Sequence, residues 1–164
     1  MTNILKQIFS FILPITVLVV VPLSIEKNRT VLLGIHFFSG LTLILFGLTL
    51  MTITISSFIR IGKGTLAPWA PTKRLVIKGP YRYVRNPMIL GVMTVLLGEA
   101  LGLWSKNILI WTGAFILINT VYFLFYEEPN LEKRFGEEYR IYKKHVPRWL
   151  PRLTGYQPEK QNEL

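Results

Sequence analysis

The sequence predicts an all-α integral-membrane protein with about four transmembrane helices and a cytoplasmic, amphipathic helical C-terminal tail. Three observations carry this. Of 164 residues, 51% are hydrophobic and 17% charged, against about 25% charged in an ordinary soluble domain; mean hydropathy is +0.40. The charges fall in blocks, separated by apolar gaps that meet the need of about 20 residues per membrane-spanning helix. The blocks are also lopsided: 19 Lys and Arg against 9 acidic residues, every one Glu, give a net charge of +10. Such hydrophobicity excludes global disorder. With no cysteine there is no disulfide scaffold, thiolate zinc site or cysteine nucleophile. Two histidines, His36 and His145, argue against a multi-histidine metal cluster.

The gaps define a single membrane domain over residues 1–164. The first span, 7–25, follows Lys6 and is interrupted by Pro14 and Pro22. It is long for a signal peptide and lacks a small-x-small cleavage site, so it reads as a retained span. The second, 30–59, is 30 uncharged residues, which either tilt or protrude past the headgroups. The third, 87–103, is broken only by Glu99, and the fourth, 107–126, carries no charge. Trp104 and Trp111 flank the short connection as interfacial aromatics do. A loop over 60–86 holds seven basic residues to position 85, and the tail after Tyr126 holds eight; the other side has Lys27, Arg29 and Lys106. The positive-inside rule therefore puts the loop, the tail and both termini in the cytoplasm. Basic residues in juxtamembrane segments suit anionic membrane lipids, and no nucleic-acid module is recognisable.

The loop begins with turn-forming Gly62, Gly64, Pro68 and Pro71 around Trp69. Asn86 then reads as a helix N-cap and Pro87 as the first helical residue. The free N–H groups there, beside Arg82 and Arg85, suit a carboxylate or phosphate. Glu127 and Glu128 read as the end of the fourth helix, where paired carboxylates oppose the macrodipole unless cations such as Arg82 and Arg85 meet them. Beyond Pro129, Leu131, Phe135, Tyr139, Tyr142 and Val146 recur at helical steps, with Gly136 placed to break the helix in two. This amphipathic segment either lies on the membrane surface or folds over a site. Glu99 reads as snorkelling to the far interface, His36 as interfacial or bonded within the bundle, and His145 as a surface residue with general-base chemistry as its alternative.

Taken together, the run from Gly79 through Arg85, Asn86, Pro87 and Ile89 to Gly91, then Glu127-Glu128-Pro129-Asn130-Leu131, then Phe135-Gly136 with Tyr139 and Tyr142, resembles the isoprenylcysteine carboxyl methyltransferase and phospholipid methyltransferase superfamily. The likeness covers roughly residues 75–152, the tail element being 127–152. Asn86 stands where that family usually has His, and Ile89 where it has Tyr. The resemblance implies an S-adenosylmethionine site formed by Tyr81, Arg85, Asn86, Pro87, Gly91, Glu127, Glu128, Leu131, Phe135, Tyr139 and Tyr142, with Arg82, Arg85, Glu128 and Arg148 in catalytic roles. Arg85 and the helix N-terminus would take the cofactor carboxylate, Glu127 or Glu128 its ammonium or ribose, and Phe135 and Tyr139 the adenine. The implied acceptor is lipid-like, a prenylated cysteine or a lipid, with no metal and no nucleic acid. Carboxyl O-methylation of the isoprenylcysteine type leads phospholipid N-methylation. An NADPH-dependent membrane reductase and a non-catalytic protein of the same fold are the alternatives.

Overall fold

The computed structural model describes residues 12–27, 33–62 and 75–158. Lys6, Arg29, Trp69 and the turn-rich stretch 63–74 lie outside these residues. The described secondary structure is helical throughout: α1 (Ile12–Ile25), α2 (Ile35–Gly62), a 3₁₀ turn (Gly79–Arg82), α3 (Pro87–Gly102), α4 (Lys106–Tyr122) and α5 (Glu128–His145). α2 is long and apolar enough to cross a membrane, and so is the helical run that starts at Lys106 and continues past Glu128; α1 and α3 are shorter apolar helices. The 16 residues of α3 rise about 24 Å, short of the roughly 30 Å hydrocarbon core. The outer surface is apolar, with Ile35, Phe46, Ile110, Leu117 and Phe125 all more than half exposed, as suits lipid rather than water.

Hydroxyl groups on these helices satisfy themselves. In α2, Ser39, Thr42, Thr49, Thr52, Thr54 and Ser57 each donate to the carbonyl four residues back at 2.7–2.8 Å. Such bonds let a helix rich in Ser and Thr sit in hydrocarbon, where an unpaired polar group costs several kcal/mol.

Two prolines fail to break helices where the sequence suggests they should, and for the same reason. Before Pro22 the chain takes a π turn over Thr16–Val20, closed by Val21 N–H on the Thr16 carbonyl. Before Pro129 a second π turn covers Phe123–Glu127, closed by Glu128 N–H on the Phe123 carbonyl. Proline has no N–H and its ring collides with the carbonyl four residues back. Widening the preceding turn moves that carbonyl aside, so the helix continues. The fourth helix therefore does not end at Glu127 and Glu128, and the expected clash with a helix C-terminus does not arise.

The core packs α1, α3 and α4 around Met51 of α2, with Val92, Met93, Val95, Leu96 and Phe115 buried. α2 and α3 approach through glycines. A Cβ on Gly40 would lie 2.5 Å from the Gly98 carbonyl oxygen and 2.6 Å from Gly102 nitrogen, and one on Gly91 would lie 2.6 Å from Met51 Cγ. This is the small-residue contact that drives helix pairing in membranes. Gly40→Ala is expected to cost about 1–3 kcal/mol by overpacking backbone against backbone. Gly113→Ala on α4, with nothing within 4 Å, should gain up to about 1 kcal/mol of helix propensity. Thermal unfolding in detergent checks both.

At the far end of the bundle a cavity of about 280 Å³ is lined by Leu18, Val19, Pro22, Leu23, Glu26, Glu99, Leu103 and Ile108. Ser105 Oγ donates to Glu26 there. Glu99 lies at this end as the sequence suggested, but its Oε2 is buried and has no hydrogen-bond partner among the described residues. His36 packs against Trp104, ring centroids 5.5 Å apart.

Candidate active site

The opposite end gathers the loop before α3, the junction of α4 with α5, and the C-terminal segment. The α3 boundary falls at Asn86-Pro87 as the sequence predicts, although the Asn86 side chain makes no capping bond. α5 breaks at Gly136, whose φ of 55° and ψ of −129° lie where essentially only glycine goes. The break folds the second half of α5 back along the first. Its apolar face then meets protein: Tyr139, Tyr142 and Val146 are buried against Leu75, Ile77, Leu131, Phe135 and Tyr156. The segment therefore packs its apolar face on protein.

Residues 146–156 form a strap across the loop. Arg85 N–H donates to the Pro147 carbonyl at 2.9 Å, Arg152 N–H to Tyr83 at 3.0 Å and Tyr156 N–H to Arg82 at 2.8 Å. Arg82 Nε returns a bond to the Tyr156 carbonyl at 2.8 Å, and Tyr142 hydroxyl donates to the Tyr81 carbonyl at 2.7 Å.

Glu128 is the centre of the arrangement, with its side chain 1% exposed. Arg148 grips it with two bonds, Nε to Oε1 at 2.7 Å and Nη2 to Oε2 at 3.0 Å. Arg85 Nη1 lies 3.0 Å from Oε1 and Lys143 Nζ 3.3 Å from Oε2. Lys143 also bonds Glu132 at 2.7 Å. Burial pushes the Glu128 carboxyl up, but the hydrogen bond from Arg148 and the charge of Arg85 outweigh it, and the net value lies below the ordinary 4.5. The bond to Glu132 raises Lys143, and the bond to Glu128 raises Arg148, so both of these cations stay charged. Burial pushes the Tyr139 hydroxyl up to about 12 against the pull of Arg85; burial likewise keeps Tyr81 and Tyr142 neutral.

A pH dependence follows. A depressed carboxyl contributes stability that is fully present above its unfolded value and is lost as pH falls through its folded value. Stability in detergent should therefore show no Glu128-dependent change from pH 6 to 9 and should fall below about pH 4.5. In Glu128→Gln that acid-side loss should shrink, as chemical unfolding at several pH values would record.

Of the residues singled out in the sequence, the structure brings Arg85, Glu128, Tyr139 and Arg148 into direct contact, Arg85 Nη1 reaching the Tyr139 hydroxyl at 3.4 Å. Tyr81 and Tyr142 join each other beside them. Leu131 and Phe135 pack in the adjoining aromatic cluster, with Arg134 over the Phe135 ring at 4.9 Å. Arg82 holds the strap and does not touch Glu128. Glu127 accepts from the Tyr122 hydroxyl at 3.2 Å. Pro87 is buried, whereas Gly91 faces α2 as a packing glycine. Ile89 packs on the helical core. His145 is exposed, stacks on Tyr156 at 5.1 Å, and its Nδ1 is 2.8 Å from the Ile141 carbonyl. That carbonyl can only accept, so Nδ1 carries the proton. Among the described residues no group of three metal-ligating side chains comes together.

Three residues at this end escaped the sequence. Glu132 and Lys143 are 11 residues apart, about 16 Å along a straight helix; only the fold at Gly136 makes them partners. Trp149 follows Arg148 and gives no sequence signal beyond its aromaticity.

The phospholipid methyltransferase family model matches residues 35–138, from the start of α2 through the break in α5. The chain belongs to the phospholipid methyltransferase family. It is therefore a membrane methyltransferase whose family acts on lipid-like substrates. A Haemophilus influenzae protein described as uncharacterized is 45% identical over 65 residues, covering 38% of this chain and all of that one. No solved structure matches.

Proposed function

We propose that this family member transfers methyl from S-adenosylmethionine to an anionic oxygen of a lipid-like acceptor, carboxyl O-methylation of the isoprenylcysteine type leading. The observation that carries this is the state of Glu128. It is held by Arg85, Lys143 and Arg148 and sits below its ordinary carboxyl value, so it is a poor general base. His145 lies exposed, stacked on Tyr156, and makes none of the described contacts to the Glu128 cluster. An ammonium acceptor must lose a proton before it can attack; a carboxylate need not.

The site residues fit the cofactor at one decisive point. Arg85 is 8% exposed, and its Nε is buried with no hydrogen-bond partner among the described residues. A buried, charged donor left over in this way suits a carboxylate. Arg85 would hold that group, Glu127 the ammonium or a ribose hydroxyl, and Phe135 and Tyr139 the adenine. The bound cofactor supplies an electrophilic methyl on a sulfonium. Glu128 fixes Arg85, Lys143 and Arg148 in place and so acts as a positioning residue, while the cations orient an anionic acceptor for in-line attack. Orientation with the loop, tail and both termini in the cytoplasm, and four spans over 7–25, 30–59, 87–103 and 107–126, complete the proposal.

The family's name favours phospholipid N-methylation as the second reading. Calorimetric titration of the detergent-purified protein with S-adenosylmethionine, S-adenosylhomocysteine and NADPH tests the cofactor. Methyl transfer to a prenylated thioether carboxylate and to phosphatidylethanolamine, each from pH 6 to 9, tests the acceptor. We expect the first two ligands to bind and the carboxylate to be methylated across that range. Methylation of the amine alone overturns the O-methyl reading, and binding of NADPH alone overturns the methyltransferase.

A further inference from the structure

Trp149 is the second buried donor at this end of the bundle left without a partner. Its Nε1 is inaccessible and has no hydrogen-bond partner among the described residues. Its ring meets Phe123 edge-on at 5.5 Å, with the planes 82° apart, and packs on the helical core. Phe123 lies five residues before Glu128, so the indole sits one helical turn toward the apolar bundle from the cluster of Arg85, Lys143, Arg148 and Glu128. Arg148, the next residue, grips Glu128 itself.

A buried indole N–H without a partner has lost its water and gained no hydrogen bond in return. Packing does not need that donor: the ring contacts with Phe123 and the core are made by carbon atoms. Tryptophan here thus carries a donor whose use lies outside the described contacts. That donor stands where a lipid chain running along the apolar helices would bring its headgroup to the basic cluster.

We propose that Trp149 Nε1–H donates to the headgroup oxygen of an anionic amphiphile, carboxylate or phosphate, and so sets which acceptors are aligned for reaction. This rests on the methyltransferase reading for its purpose but not for its test. For an oxygen to reach Nε1, which is buried in the described structure, the chain must yield locally around Trp149 while Arg148 keeps its grip on Glu128. Arg85, which reaches Tyr139 through Nη1, would serve the cofactor; Trp149, packed on Phe123, serves the acceptor.

The test uses the full chain in maltoside micelles with ¹⁵N-labelled tryptophan, the Trp149 indole signal being the one missing from Trp149→Phe. Dodecanoate, dodecyl phosphate and dodecyltrimethylammonium are titrated separately. Either anion, but not the cation, should move the indole proton downfield, and the stronger of the two identifies the headgroup as carboxylate or phosphate. Trp149→Phe should weaken that anion about tenfold by calorimetry, the worth of one hydrogen bond, with thermal stability unchanged or raised. An indole signal that ignores both anions or answers the cation equally overturns the inference. So does a Trp149→Phe variant that loses stability while binding the anion as before. If S-adenosylmethionine fails to bind while the anion shift persists, the methyltransferase reading falls and the headgroup site stands.

Discussion

Glu128→Gln is expected to cost about 3–5 kcal/mol of stability and to reduce S-adenosylmethionine affinity at least thirtyfold. The stability figure is that for removing one member of a buried ionic network and leaving the others uncompensated. The lower end of that range is expected, because the Glu128 side chain is 1% exposed but Lys143 is 38% and Arg148 19% exposed, so solvent screens part of their charge. Glutamine retains the shape and one acceptor oxygen, but its amide nitrogen faces guanidinium donors. Arg85, Lys143 and Arg148 then repel one another within a site that has lost its anion. Arg85 is the one whose orphaned Nε suits the cofactor carboxylate, so its displacement is the route from Glu128 to affinity. Chemical unfolding and calorimetry on one preparation separate the two effects. Unchanged affinity in a destabilised variant would show that Arg85 does not depend on Glu128 for its placement, or does not hold the cofactor. Arg148→Ala leaves Glu128 with Arg85 and Lys143, and should fall between wild type and Glu128→Gln in both measurements.

Much of this site was legible before any coordinates, and the parts that were not share one cause. Apolar gaps and charge blocks revealed helices and grouped the loop with the tail, because burial and charge repel each other over lengths visible in one dimension. The Asn86-Pro87 boundary was legible because proline favours the first helical position. The pairing of Arg85 with Glu128 was foreseen from two charges needing one another on one face. Pro22 and Pro129 were misleading, since nothing in composition announces that a π turn will absorb a proline. Arg82 was given to the carboxylates and instead secures the strap, because the return of residues 146–156 across the loop is a tertiary event. Gly91, matched by likeness to a cofactor position, lies against Met51 and Gly47; a glycine that lets helices approach and one that lets a ligand approach look the same in sequence.

Gly136→Ala should lose the site with little change in its chemistry. The residue has φ 55° and ψ −129°, a conformation that costs a residue with a Cβ on the order of 1–3 kcal/mol. Nothing lies within 4 Å of the Cβ that alanine would add, so the penalty is backbone strain and not collision. The chain can escape that strain by continuing as a straight helix, which alanine favours by about 1 kcal/mol over glycine. A straight helix would put Lys143 about 22 Å along the axis from Glu128, where the folded chain has 3.3 Å between their charged atoms. It would also withdraw Tyr139 and Tyr142 from Arg85 and Tyr81, and release the strap that brings Arg148 to Glu128. Cofactor affinity is therefore expected to fall at least as far as in Glu128→Gln, although no charged or polar group has been removed. Helical content by circular dichroism should hold or rise, and proteolysis between residues 137 and 158 should accelerate. If Gly136→Ala binds cofactor as wild type does, the fold at this position is not what assembles the site.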